Sequence, residues 1–307
     1  MKYKVIDGKG IIPDGTNEIA ESAFKGCTRL QSIVIPGSVT VIGSEAFSGC
    51  TSLQSIVIPD SVTRINYSAF SGCNNLTSII VSKNNSRYKS TNNCILTKDG
   101  KKLILCRSHN IPDSVTMIGD WAFKGCTSLQ SIIIPDSVTS IGWAAFWGCT
   151  SLQSIVIPDS VTVIGGSAFS CTSLQSIVIP NGETRIDTST FEGCGGLQSI
   201  VIPDSVKEIG ESAFSYCTSL QSIEIPDSVT KIKSHAFKNC ISLQSITIAT
   251  QEKKPDMSRE KIEYLLQELS EYSKEISLRV PIGCGYAYRH HTAFEGKFKN
   301  IIADIDA

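Results

Sequence analysis

The residues that could carry chemistry are four histidines, twelve cysteines, three tryptophans and many serines. His109 and His235 stand alone, and His290 and His291 are adjacent. Neighbouring positions point in different directions in regular structure, so the His290-His291 pair is a poor metal clamp. Cys284 with either histidine lacks further ligands at any recognised zinc spacing. The serines recur at a fixed interval with no base paired to them, which makes them scaffold rather than nucleophiles. The glycines recur in the same way and do not form a strand-to-helix phosphate cradle. No catalytic residue, metal site or cofactor is therefore expected, and an enzyme is the least expected class.

What those residues share is a beat. Leu152-Gln153-Ser154-Ile155-Val156-Ile157-Pro158-Asp159-Ser160-Val161-Thr162 returns along the chain with few changes, from Leu30, Leu53, Leu129, Leu174, Leu197 and Leu220, and more weakly from Leu76 and Leu243. Most intervals are 23 residues, the kind of period that marks a solenoid. One unit runs from Val41 to Thr63. Ser55–Ile58 alternates and is β-branched, so it reads as a strand with Ile56 and Ile58 inward. Pro59-Asp60-Ser61 is turn chemistry. Val62–Ile65 reads as a second, shorter strand. Gly43 is expected to allow a tight corner. Ser44–Ser48 is expected to form a short helical or 3₁₀ turn that buries Ala46 and Phe47. Leu53, Val62, Ile65 and Cys50 complete the inner face. One coil cannot shield these residues from water, whereas a stack can, with coils about 4.8 Å apart.

Nine cysteines are assigned to one position of the repeat: Cys27, Cys50, Cys73, Cys126, Cys149, Cys171, Cys194, Cys217 and Cys240. Stacked equivalents have parallel Cβ vectors, which disfavours disulfides between them. A continuous column of small buried thiols is expected, a pattern that points to a reducing or anaerobic setting.

Three regions depart from the beat. Residues 1–18 read as an N-terminal cap with a strand at Tyr3–Ile6 and a partial repeat at Ile11-Ile12-Pro13. Pro59 and Pro112 are 53 positions apart, 30 more than one period, and the insertion lies at about 82–108. Within it, Cys94–Thr97 and Lys102–Cys106 flank Lys98-Asp99-Gly100-Lys101, a strong hairpin signal. Cys94 and Cys106 are offset about that turn, so a bridge between them is not expected. Residues 251–307 read as a C-terminal cap containing a helix at 258–272, with Ile262, Leu265, Leu266, Leu269 and Tyr272 at helical spacing.

The pattern Ala-Phe-x-x-Cys-x-x-Leu-x-x-Ile-x-Ile-Pro-x-x-Val-x-x-Ile over about 19–250 resembles the BspA-like leucine-rich repeat proteins. The resemblance implies a mostly-β, α/β-type repeat solenoid: right-handed and curved, with two short strands and a helical or 3₁₀ turn per coil. Residues 1–307 would form one such solenoid. The resemblance also implies a non-enzymatic role in surface recognition or adhesion, and hence a secreted or cell-surface protein. The first residues, Met1–Gly8, lack the apolar core of a signal peptide.

Net charge is −1, so no basic field draws nucleic acid or an anionic membrane. No apolar run is long enough to insert in a bilayer. The expected partner is a protein, possible host or matrix proteins included, with carbohydrate or self-assembly as alternatives, and the chain itself is expected to be a monomer. Two surfaces could serve binding. One is an outward strip of Val57, Ile133, Val156, Val178 and Val201, which alternates with serine. The other is an aromatic patch of Tyr67, Trp121, Trp143 and Trp147 beside the insertion. Tyr88 in the insertion either joins that patch or folds over it.

Overall fold

The computed structural model describes residues 3–248, 277–281 and 300–305. The chain divides into two compact units, Met1–Leu152 and Gln153–Ala307. Each unit is a stack of short coils built around one phenylalanine per coil. The first unit carries Phe24, Phe47, Phe70, Phe123 and Phe146, and the second Phe169, Phe191, Phe214 and Phe237.

Two columns of short parallel strands run along each stack. In the first unit Ser55–Ile58 pairs with Ser78–Val81, with Ile56 opposite Ile79. On the other side Glu18–Ile19, Val41–Ile42 and Arg64–Ile65 pair in register. The second unit repeats this with Ser176–Val178 on Ser199–Val201, and with Arg185–Ile186, Glu208–Ile209 and Lys231–Ile232. Ser222–Ile225, Ser245–Ile248, Ser277–Pro281 and Asn300–Ile305 continue one sheet in parallel. The alternation of Ile in and Val or Ser out is what fixes this register, because a one-residue slip would expose every isoleucine. At the N-terminus Lys4–Ile6 and Lys9–Ile11 form a hairpin, and the second of these pairs with Ser32–Ile33.

The segment around each phenylalanine is a run of turns rather than the expected helical or 3₁₀ turn, and the hydrogen bonds show why. Glu45, Phe47 and Gly49 donate their N–H groups to Tyr67, Ala69 and Ser71 of the next coil at 3.1, 2.7 and 2.7 Å. Ala46, Ser48 and Cys50 instead donate three residues back within the segment, to Gly43, Glu45 and Phe47. Alternate amides thus leave the segment to join a ladder, which a helix does not permit. Two left-handed residues per coil make the alternation possible, such as Glu45 at φ 53° and Gly49 at φ 72°. The segment packs its phenylalanine inward, and these rings stack: Phe24 on Phe47 at 5.4 Å, Phe47 on Phe70 at 5.2 Å, and Phe123 on Phe146 at 4.9 Å. Each fully buried ring contributes about 1.5–3 kcal/mol.

Gly43 is needed for a reason other than the expected corner. A Cβ there would lie 2.7 Å from the backbone of Glu21 and Ile19 one coil back. Its role is close approach between coils.

The thiol column holds with one correction. Most of the column cysteines donate Sγ–H to the phenylalanine carbonyl one coil back, for example Cys50 to Phe24 at 3.1 Å and Cys217 to Phe191 at 3.2 Å. Cys171 is not in the column. Its coil is one residue short, so Cys171 takes the left-handed glycine position at φ 56° and is exposed. Thr172 fills the column in its place, buried and bonded to the Phe169 carbonyl at 2.8 Å.

The insertion forms three antiparallel strands, Tyr88–Thr91, Cys94–Thr97 and Lys102–Cys106. The last of these joins the repeat sheet through Met117–Ile118. Cys94 and Cys106 are disulfide-bonded, contrary to the sequence expectation. A plain four-residue loop would place Cys94 opposite Leu105. An irregularity leaves Ile104 unpaired, because Leu96 faces Leu103 while Ile95 faces Leu105. That extra residue shifts the register by one and brings the cysteines opposite each other.

The segment 258–272, for which a helix is expected, lies outside the described residues, as does most of the 251–307 cap. Among the described residues there is no helix.

Candidate binding face

The outward positions of the turn segments are where coils differ. Three residues before each phenylalanine of the first unit stand Glu21, Ser44, Tyr67, Asp120 and Trp143. Because the coils stack in register, these five positions form one row, in which Tyr67 and Trp143 are aromatic and the others acidic or polar. The left-handed position one residue further on carries Glu45, Ser68 and Trp121 beside that row. Together they line a groove of about 470 Å³, which Lys124 also borders.

Tyr67 is 66% exposed and Trp143 is 48% exposed, and Trp147 is likewise exposed on the same face. Trp121 is half-buried and meets Trp143 edge-on, with ring centroids 4.3 Å apart at 89°. The Lys124 ammonium lies 4.1 Å from the Trp121 ring centroid and 5.0 Å from that of Trp147. It also donates to Ser68 Oγ at 3.3 Å and sits 3.9 Å from Glu45. Partial burial lowers the Lys124 pKa, with the nearby Lys25 adding to this and Glu45 opposing it. Glu45 is held below the usual carboxylate range, first by its hydrogen bond from Lys25 and then by the charges of Lys25 and Lys124. Asp120 Oδ1 accepts the Trp143 N–H at 2.8 Å, which fixes the floor between them. A smaller cavity of about 140 Å³ lies where Ile65–Ser71 faces Lys102, Ile104 and Leu105 of the insertion.

The structure brings Tyr67, Trp121, Trp143 and Trp147 to one face, and leaves three of the four rings exposed. Tyr88 has another task. Its hydroxyl accepts the Ile65 N–H at 3.1 Å, where the sheet would otherwise continue to a further strand. Lys124, Asp120 and Glu21 were not legible as site residues. Charged residues are ordinary at outward positions, and only the stacking shows that these three border the aromatic rings.

The strip residues also point outward, as their alternation with buried isoleucine requires. Val57 and Ile133 are exposed in the first unit, and Val156, Val178 and Val201 in the second. Val34 and Ile80 extend the strip in the first unit. Among the described residues no group of three or more His, Cys, Asp or Glu side chains is placed to hold a metal ion. His290, His291 and Cys284 lie outside the described residues. No helix among the described residues is long and apolar enough to cross a membrane.

A family model for the BspA type leucine rich repeat region matches residues 9–98, 102–217 and 184–258 in six copies. The chain belongs to the BspA-type leucine-rich repeat family. Among solved structures, a leucine rich cell surface protein from Faecalibacterium prausnitzii is 33% identical, with a TM-score of 0.58. The match covers 81% of this chain and 61% of that one, so this chain spans less than two thirds of that relative. A leucine-rich repeat protein from Bacteroides ovatus is 30% identical over 95% of this chain and 77% of its own, with a TM-score of 0.55. The pneumococcal vaccine antigen PcpA shares the fold at 17% identity, with a TM-score of 0.59 over 90% of this chain and 68% of its own. No curated protein matches the chain. As BspA-type repeats these coils follow the family pattern in their inward residues, and the aromatic rings stand on the outward side.

Proposed function

We propose that this BspA-type chain is a non-enzymatic recognition protein that binds a protein ligand through the row Tyr67, Asp120, Trp121 and Trp143. The observation that carries this reading is the placing of exposed aromatic rings in one groove on a hydrogen-bonded stack. Aromatic residues are the usual anchors of protein interfaces. A rigid stack loses little ordering entropy on association, so the rings act as preformed contacts. The cell-surface description of the Faecalibacterium relative fits such a role, and so does the Cys94–Cys106 disulfide, a bond typical of oxidising surroundings. The column thiols do not conflict with that setting, because they are buried and hydrogen-bonded.

The test is a pull-down from matrix, serum and cell-lysate proteins. It compares wild type with the Trp121→Ala/Trp143→Ala/Trp147→Ala variant after circular dichroism has shown both to be folded. Capture of a partner by wild type and its loss in the variant are expected. Equal capture by both would move the site to the Val/Ile strip. A second reading has a specific observation behind it: the exposed Tyr67 and Trp143 rings flank the Asp120 carboxylate, a combination that also suits a sugar. Binding to a glycan array that disappears in Trp143→Ala would replace the protein ligand with carbohydrate.

A further inference from the structure

The net charge of −1 conceals a division within the chain. Of its 28 lysines and arginines, seven fall in residues 82–108, and of its 29 aspartates and glutamates only Asp99 does. The strand pairing gathers five of these cations around the turn Lys98-Asp99-Gly100-Lys101. The Lys98 N–H donates to the Arg87 carbonyl at 2.8 Å. Its ammonium donates to the carbonyls of Asn85 and Lys83 at 2.7 and 3.1 Å. Lys89 pairs with Leu96 on the neighbouring strand and lays its ammonium against Gly100, beside Lys101. The side chains of Lys83, Arg87, Lys98 and Lys101 are exposed. The other two cations turn elsewhere: Arg107 donates to the Phe70 carbonyl at 2.6 Å, and Lys102 borders the cavity beside Gly119.

One carboxylate is too few to neutralise this group. Asp99 is engaged by its own turn: Oδ1 accepts the Thr97 hydroxyl at 2.6 Å and the Lys101 N–H at 2.9 Å. Those bonds lower its pKa, and the charges of Lys89 and Lys101 lower it further. Asp60 and Asp113 belong to turns on either side, where the Asp60 carbonyl meets Asn85 and Ser114 donates to the Gly100 carbonyl. Even so, among the described residues none of the five cations forms an ion pair.

We propose that Lys83, Arg87, Lys89, Lys98 and Lys101 form a docking surface for an extended anionic polysaccharide. Like charges held together on one surface repel one another. A polyanion lying across them removes that repulsion and releases its own condensed counterions. The surroundings select the class of polyanion. Among the described residues no large apolar side chain is exposed between 82 and 108, so the patch lacks the anchors of a protein interface. It presents no ring on which a base could stack, because Tyr88 packs against the core and its hydroxyl accepts the Ile65 N–H. What stands between the cations is polar: Asn84 and Ser86 are exposed beside Lys83 and Arg87 and can hydrogen-bond sugar hydroxyls. The surface shares no residue with the aromatic groove.

The experiment measures binding of the intact chain to immobilised heparin at rising sodium chloride, with duplex DNA, polyglutamate and neutral dextran as comparison probes. Wild type should bind heparin more tightly than any of the others, and more weakly as salt rises. Lys83→Gln/Arg87→Gln/Lys101→Gln, checked by circular dichroism, removes three exposed cations and keeps Lys89 and Lys98, which pack on and hold the turn. It should bind heparin at least about tenfold more weakly and with a shallower salt dependence, because fewer counterions are released. Lys207→Gln/Lys231→Gln/Lys238→Gln removes three exposed lysines of the second unit and should bind heparin as wild type does. So should Trp121→Ala/Trp143→Ala/Trp147→Ala. No binding to heparin, equal weakening by the two cation variants, or loss in the tryptophan variant would each overturn the proposal. Binding of DNA or polyglutamate as tight as that of heparin would also overturn it, in favour of a nucleic acid or an acidic protein segment. If the triple variant does not fold, Lys83→Gln and Arg87→Gln singly should each weaken heparin binding about twofold or more, and no change in either would overturn it.

Discussion

At the scale of single residues, this chain mends interruptions in its ladder with polar side chains that no repeat pattern would require. Asn85 is wholly buried at the start of the insertion. Its Nδ2 donates to the carbonyls of Pro59 and Val62 at 2.8 and 2.9 Å, and its Oδ1 accepts the amides of Arg87 and Tyr88. Glu183 does the same in the second unit, at a position where other coils place valine. Its carboxylate accepts the amides of Ile164, Thr184 and Arg185. Burial raises the Glu183 pKa, and the three amide hydrogen bonds oppose that rise without cancelling it. The folded state then holds its proton to higher pH than the unfolded chain does. The stability that Glu183 contributes is full below the unfolded carboxyl value of about 4.3 and falls as pH rises through the folded value. Thermal melts from pH 4 to pH 7 should show the melting temperature of wild type falling relative to that of Glu183→Gln. Parallel curves would mean that Glu183 titrates normally.

At the scale of the element, the turn segment around each phenylalanine makes two separate demands on glycine, and two substitutions distinguish them. Gly148 has φ 71° and open space, with the nearest neighbouring atom 4.0 Å from a Cβ. Gly148→Ala should therefore cost only the left-handed backbone strain, about 1–2 kcal/mol. Gly43 has no left-handed φ, but a Cβ there meets the adjacent coil's backbone at 2.7 Å. That backbone is held by the Gly43 N–H bond to the Ile19 carbonyl at 2.8 Å and cannot yield alone. Gly43→Ala should push the two coils apart and cost more, about 1–3 kcal/mol of overpacking beyond any backbone effect. Urea unfolding of both variants measures the difference. Equal losses would show that the coils separate freely.

At the scale of the whole molecule, the outward Val/Ile strip raises the question of self-association, since a net charge of −1 provides little repulsion. In each unit the strip is a single file beside a row of serine, while stable interfaces engage roughly 20–30 residues a side. The chain should sediment as a monomer at micromolar concentration. Light scattering that rises with concentration, and that Val156→Lys/Val178→Lys suppresses, would instead make the strip an assembly surface. The sequence by itself determined the repeat, its two strands, the inward leucine, isoleucine, phenylalanine and most of the cysteines, and the family. It could do so because one coil's pattern is repeated, and a buried position allows few residue types. It also placed the three tryptophans and Tyr67 on the turn segments. Only the tertiary structure decided where the pattern fails. The unpaired Ile104 that joins Cys94 to Cys106 is a register event invisible in residue types. The displacement of Cys171 follows from a one-residue deletion whose site only the backbone reveals. Arg107 meets Phe70 and Cys126, and Lys124 meets Trp147, because stacking brings together residues that are distant in sequence or carried on different coils. Their neighbours in the chain carry no trace of those contacts.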